Sequence, residues 1–177
     1  MLKVAWGSHP KVGKDFTIAV IQVCVDLGWK HEQASHLLSC MAFETGESFS
    51  ATVRNAAGSG AVGLIQFMPN TARGLGTTVE YLAQLQPIYQ LEYVKRYFKP
   101  YANRIKSLSD MYMAILMPKY IGAPEDTQVF TNGIMYNQNA GLDRDKDHVV
   151  TKAEITALVQ AKLDKGMRDV YALELPL

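Results

Sequence analysis

A chain of 177 residues, 48% hydrophobic and 20% charged, is long enough for one domain with a substantial core and too short for two comfortable ones. A formal net charge of +1 gives no broad electrostatic case for nucleic acid or an anionic membrane, and no apolar run approaches the roughly 18 residues that span a bilayer. A soluble monomer with no membrane insertion is expected, and a polymeric ligand would be read by a groove.

The chain opens on MLKVAWGSHPKVGKDF, which has no basic start followed by an apolar stretch and a small-residue cleavage site, so synthesis in the cytoplasm without a secretion signal is expected. Asp15 to Leu27 carries apolar residues almost all the way round and meets Gly28 where a helix C-terminal glycine belongs, predicting a central, well-buried helix. His31 to Glu44 predicts a second helix, with Ala34, Leu37, Leu38, Cys40 and Met41 on one stripe at about 100° per residue. Cys24 and Cys40 fall inside these patterns and read as buried free thiols. Glu44 projects from the same stripe, seven residues after Leu37, where a leucine would be expected.

RNAAGSGAVG (54–63) predicts an irregular loop that lets backbone approach a ligand closely. Beyond it, Asn70 to Leu75 predicts a short helix, and Thr77 with Glu80 has capping-box spacing for another that ends at Pro87. Ile88 to Lys99 and Ser109 to Met117 predict two amphipathic helices closed by Pro100 and Pro118. No alternating strand pattern of any length survives. The expected fold is mainly α in one domain over residues 1–177, with little or no β and at most a small strand pair or irregular loops between Ser50 and Ile65.

Two polar residues in apolar surroundings carry the chemistry. A carboxyl packed against apolar side chains is disfavoured in its ionised form, so Glu44 can hold a proton near neutrality as a general acid for glycosidic cleavage must. Its bland reading is a helix-end carboxylate turned to solvent. Glu47, beyond Gly46, is the rival carboxyl and reads more simply as an exposed loop charge. Gln66, alone in GLIQFMP, reads either as an amide tied to local backbone or as a cleft residue. Tyr136 and Asn137 are similar, and with Glu44 they compose the polar set expected of a saccharide cleft on an apolar scaffold.

GSGAVGLIQFMPNTA (58–72) resembles the GA-x-GL-x-Q-x-x-P-x-TA signature of the soluble lytic transglycosylase family, in the lysozyme-like superfamily with goose-type lysozymes. FETGESF resembles that family's catalytic Glu-Ser segment, and MYNQNAG (135–141) its later Ala-Tyr-Asn-Ala-Gly motif, in the same order over roughly residues 30 to 141. Phage-encoded cell-wall lysins are the most similar members. The resemblance implies a goose-type lysozyme fold, peptidoglycan strands as partner, Glu44 as catalytic acid and base, Gln66 and Phe67 lining the groove, and Tyr136 orienting the glutamate. Thr45 stands where the family has serine, and the gap from Glu44 to Gln66 is a few residues longer, so an alignment without the insertion would choose Glu47. Gln138 and Asn139 are inserted into the third motif.

The expected reaction is cleavage of the β-1,4 bond between N-acetylmuramic acid and N-acetylglucosamine, with no second carboxylate evident. In the resembled family the muramic 6-hydroxyl then closes a 1,6-anhydro ring, and no cofactor is needed. A hydrolytic muramidase, with Glu47 as the carboxyl to suspect, and a non-catalytic cell-wall-binding virion protein are the alternatives. Without a secretion signal, access to the wall would come through a holin or from a virion.

The last informative stretch is DRDKDHVVTKAE (143–154). Asp143, Asp145 and Asp147 at positions 1, 3 and 5, the Val149 carbonyl at 7 and Glu154 at 12 fit an EF-hand-like loop holding structural calcium. His148 replaces the glycine that permits the sharp turn. The competing reading is a capping box of Thr151 and Glu154 at the start of a helix running to Lys165, with Gly166 as its stop. The four histidines have no zinc-ligand spacing.

Overall fold

Helix α2 (Gln33–Glu44) has no exposed residue, and its Leu37, Leu38, Cys40, Met41 and Ala42 are wholly buried. The structure is a computed structural model and describes residues 1–176. Helix α2 is wrapped by α1 (Gly13–Asp26), α6 (Leu108–Leu116) and α8 (Lys152–Gly166). Its buried serines find partners in place, while His36 Nδ1 is buried without one. Ser39 donates its hydroxyl to the Ser35 carbonyl at 2.7 Å, and the Ser35 hydroxyl accepts the Ala5 amide at 3.0 Å.

The chain is mainly helical with one continuous core, as its composition and patterning imply. The central position belongs to α2 rather than α1. Helix α1 packs on α2 and on α5 (Pro87–Phe98) but leaves its third face open, so Ile18 and Val25 stay 47% and 43% exposed. Between α2 and α5 lie two short helices, α3 (Pro69–Gly74) and α4 (Val79–Leu82). The cap of α4 is Thr78, whose hydroxyl accepts the Tyr81 amide, one residue later than the expected Thr77. Pro100 does not stop the chain's helical course: α5 ends at Phe98 and passes into a 3-10 turn, Lys99–Arg104, in which proline sits at the N-terminal end where its missing N–H is harmless.

The β structure is slight but lies where no alternation announced it. Strand β1 (Leu2–Val4) pairs antiparallel with β4 (Leu173–Leu175), joining the two ends of the described chain. Strand β2 (Gln128–Phe130) pairs with β3 (Val150–Thr151) across a register shift, and between them runs α7 (Gly133–Asn139). Single bridges join Val62 to Arg54 and to Phe67, shaping the loop expected between Ser50 and Ile65.

Two local devices fix the second half. Lys152, 1% exposed, donates to Asp110 Oδ1 at 3.0 Å and to the carbonyls of Ala123 and Tyr120, while Asp110 also accepts the Lys106 and Gly122 amides. This fully satisfied ion pair ties α8 to α6 and to the turn that follows it. Gly166, expected as a helix stop, is the last residue of α8 and is required by packing instead. A Cβ there would lie 2.3 Å from Trp6 Nε1, and that indole is wholly buried and donates to the Lys162 carbonyl.

Candidate functional site

Glu44 is the last residue of α2, so a helix with no exposed residue delivers its carboxyl to a cleft of about 760 Å³. Tyr112 on α6 donates its hydroxyl to Glu44 Oε1 at 2.6 Å, and Phe43 packs edge-on against the Tyr112 ring. Burial pushes the Glu44 pKa up to about 7, against the opposing effect of the Tyr112 hydrogen bond. The carboxyl is thus poised to give and take a proton near neutrality, and it is held by a buried tyrosine. Burial beside Glu44 raises the Tyr112 phenol well above its ordinary range, so Tyr112 remains a donor.

Glu47 lies on a different side of the bend that ends α2. Gly46 and Glu47 both take positive φ, 58° and 66°, which turns the Glu47 side chain toward α8. There Lys162 and Lys165 both bind its carboxylate, the latter at 2.6 Å. Burial alone would raise its pKa, but the two lysine hydrogen bonds bring it net below the ordinary carboxylate value. It does not line the Glu44 cleft. Thr45 secures the bend: its hydroxyl donates to the Met41 carbonyl at 2.7 Å and accepts the Phe49 amide at 2.9 Å.

One wall of the cleft is the irregular loop. Gln66, at φ 54°, donates its amide to the carbonyls of Val53 and Gly63 and still lines the cleft, so both sequence readings of this residue hold at once. Behind the loop, wholly buried Gln90 of α5 accepts the Leu64 amide and donates to the carbonyls of Ala51 and Leu82. Gly63, at φ 83°, is what lets this amide approach, since a Cβ at residue 63 would fall 2.4 Å from Gln90 Oε1. Arg54 and Asn55 extend the wall, and Gln138, Asn139, Leu142 and Leu158 face them from the other side.

Three of the expected groove residues stand elsewhere. Phe67 is 1% exposed and packs edge-on against Tyr97 in the core, because its backbone pairs with Val62 and turns the ring inward. Tyr136 does not reach Glu44; its hydroxyl donates to Asp143 Oδ2 at 2.7 Å, and the orienting role expected of it is filled by Tyr112. Asn137 is exposed on α7 and outside the cleft, while the two inserted residues beside it, Gln138 and Asn139, line it. Tyr112 gave no signal beyond a hydroxyl inside an apolar run, and Gln90 only an amide on the buried stripe of α5.

The 143–154 loop gathers its aspartates. Carboxylate oxygens of Asp143, Asp145 and Asp147 lie within 4.8 Å of one another. Each also accepts backbone amides within the loop, among them Lys146, Asp147, His148 and Val149. His148 adopts φ 66°, the left-handed conformation expected of the glycine it replaces. Glu154 completes the capping box with Thr151 and accepts the Arg144 amide. The helix cap is therefore built, and the donor set suits a hard divalent cation as well.

A larger depression, about 1100 Å³, opens at the opposite end of α2 between Lys30, His36, Lys99 and Lys106. Its carboxylates are Asp26, held below the ordinary range by hydrogen bonds from Gln22 and Lys95, and Glu32. Size favours that depression, but acid-base chemistry favours the smaller cleft, which holds the carboxyl protonatable near neutrality. Comparison with protein-family models, curated proteins and solved structures gave no match.

Proposed function

We propose that the protein is a peptidoglycan-degrading enzyme that cleaves the β-1,4 bond between N-acetylmuramic acid and N-acetylglucosamine as a lytic transglycosylase, with Glu44 as its single catalytic carboxyl. The observation that carries this reading is the placement of the Glu44 carboxyl, held by the Tyr112 hydroxyl at 2.6 Å in a cleft with no other carboxylate among its described lining residues, where burial raises its pKa to about 7. The order of the three resembled motifs along the chain supports the same assignment.

Glu44 protonates the glycosidic oxygen as the bond breaks, since a carboxyl near pKa 7 is both protonated often enough and acidic enough at neutral pH. Tyr112 holds the carboxyl in one orientation and stabilises the carboxylate that results. That carboxylate then takes the proton of the muramic 6-hydroxyl as it closes on the sugar's C1, regenerating the acid and leaving a 1,6-anhydro end. Asn55, Gln66, Gln138 and Asn139 supply amides suited to acetamido and hydroxyl groups. The fold proposed is the goose-type lysozyme one. A hydrolysis that uses a second carboxylate, as base for an opposite-face water or as nucleophile, would have to recruit Glu47, and the engagement of Glu47 by two lysines argues against that residue.

Calcium in the 143–154 loop would be structural, held by Asp143, Asp145, Asp147, the Val149 carbonyl and Glu154, and would fix the segment that follows the Gln138 and Asn139 wall. Action on the cell wall after holin release, or from a virion, completes the proposal; no described helix is long and apolar enough to cross a membrane. Release of soluble fragments from purified peptidoglycan by the parent, and its loss in Glu44→Gln, tests the assignment. No release by the parent leaves a cell-wall-binding protein.

A further inference from the structure

The Glu44 cleft contains two charged side chains, Glu44 itself and Arg54; its other polar side chains are Thr45, Tyr112 and four amides. Amides and hydroxyls suit a neutral saccharide, and the exposed guanidinium of Arg54 adds a charge at the rim. Arg54 also borders a second depression of about 240 Å³ beside the cleft, walled by Pro69, Arg73, Thr78 and Glu80. The volume is that of roughly eight waters, suited to a short branch more than to a further run of sugar rings. Close packing shapes its floor: Gly60, at φ 80°, lies where a Cβ would press on Pro69 at 3.2 Å.

The charges of this annexe have no partners among themselves. Among the described residues, neither Arg54 nor Glu80 enters an ion pair, and Arg73 hydrogen-bonds only the neutral Asn70 amide oxygen. Two guanidiniums that can each take a carboxylate bidentately, with one carboxylate that can take an ammonium, form a zwitterionic set. A polyanion such as phosphate would be opposed by Glu80, and a neutral sugar would leave the arginines unused. A peptide branch with free carboxylates and an amine matches all three.

We propose that Arg54, Arg73 and Glu80 form a subsite for the peptide branch carried by the saccharide strand, so that the enzyme selects peptide-substituted over bare glycan. This rests on the function proposed above. Arg54, shared by both depressions, reads the carboxylate nearest the strand, while Arg73 and Glu80 read the outer carboxylate and the amine.

The test compares kcat/KM of the parent, Arg54→Gln, Arg73→Gln and Glu80→Gln on peptidoglycan strands bearing their peptides and on the same strands after amidase removal of the peptides. Melting curves establish that each variant is folded. The parent should prefer peptide-bearing strands by about tenfold or more, and each arginine variant should bring that ratio roughly tenfold closer to one, chiefly through KM. A parent with no preference, or variants that keep the parent's ratio, overturns the subsite. If the parent cleaves neither substrate, the proposed function has failed separately. The subsite is then read by calorimetric binding of the isolated stem peptide: binding weakened in Arg54→Gln and Arg73→Gln upholds it, and absent or unaltered binding overturns it.

Discussion

Glu44→Gln should do two opposite things: abolish activity and stabilise the fold at alkaline pH. Gln keeps an oxygen to accept the Tyr112 hydroxyl, so the local geometry survives while the ionisable proton is lost. The Glu44 pKa is raised from an ordinary 4.5 to about 7 by burial, opposed by the Tyr112 bond. A folded pKa above the unfolded one means that the folded state binds the proton more tightly. Stability from this group is therefore complete below about pH 4.5 and is lost as pH rises through 7. At 1.36 kcal/mol per unit, the full difference is about 3 kcal/mol at pH 8. For a chain of this length that corresponds to a melting temperature roughly 5 to 10 °C higher in Glu44→Gln than in the parent at pH 8. At pH 4.5, where the parent's carboxyl is also protonated, the two should melt together. Thermal melts at the two pH values decide it: a variant that melts below the parent at pH 8, or a gap that does not change with pH, would refute the burial of a proton-holding carboxyl. Fragment release should fall by roughly 10²–10⁴ at either pH, the range of a general acid.

Tyr112→Phe removes the one hydrogen bond that lowers the Glu44 pKa, so the alkaline limb of a kcat/KM profile should move upward from about 7, with a stability cost of about 1–2 kcal/mol by denaturant melts. Glu47→Gln loses the charge that both lysines pair with and one of its two acceptor oxygens, and because all three groups are partly exposed the expected loss is only about 1 kcal/mol, with product formation retained. A loss of activity as large as that of Glu44→Gln would instead restore Glu47 as a second carboxylate. Lys152→Met leaves the Asp110 charge buried and two carbonyls unpaired, and should cost about 3–5 kcal/mol, or roughly 10 °C of melting temperature in a thermal scan. Saturating calcium should raise the parent's melting temperature by several degrees, by about 2.7 kcal/mol at a hundredfold excess over Kd, and should do far less for Asp145→Ala, which has no side-chain oxygen to offer; an unresponsive parent leaves the 143–154 loop as a helix cap alone.

The helical framework was legible because apolar period and breakers agree along most of it. Helix α2 follows the stripe from Ala34 to Met41, and that phase brought out Glu44. The same reasoning overrated α1, since an apolar residue on every face shows that burial is permitted, not that neighbours exist to supply it. Strands β1 to β4 have two or three residues each, shorter than any alternation can reveal, and their partners are set by tertiary closure of the chain. Within the site, local sequence could place Glu44 and Gln66 because each interrupts an apolar run. It could not identify Tyr112, because a tyrosine at a core position has the same pattern whether or not its hydroxyl meets a carboxyl 68 residues away. Phe67 illustrates the converse: its motif neighbour Gln66 reaches the cleft, and a positive φ at Gln66 sends the following ring into the core. The pairing of Glu47 with Lys162 and Lys165 spans more than a hundred residues and was likewise beyond local reading.

The most direct measurement of the central claim is a mass spectrum of the soluble fragments released from purified peptidoglycan by the parent, with Glu44→Gln and Glu47→Gln alongside. Cleavage by a single carboxyl should yield anhydro-muropeptides, one water lighter than hydrolytic products, that disappear with Glu44→Gln and persist with Glu47→Gln. Reducing-end muropeptides, or loss of products with both variants, would contradict it.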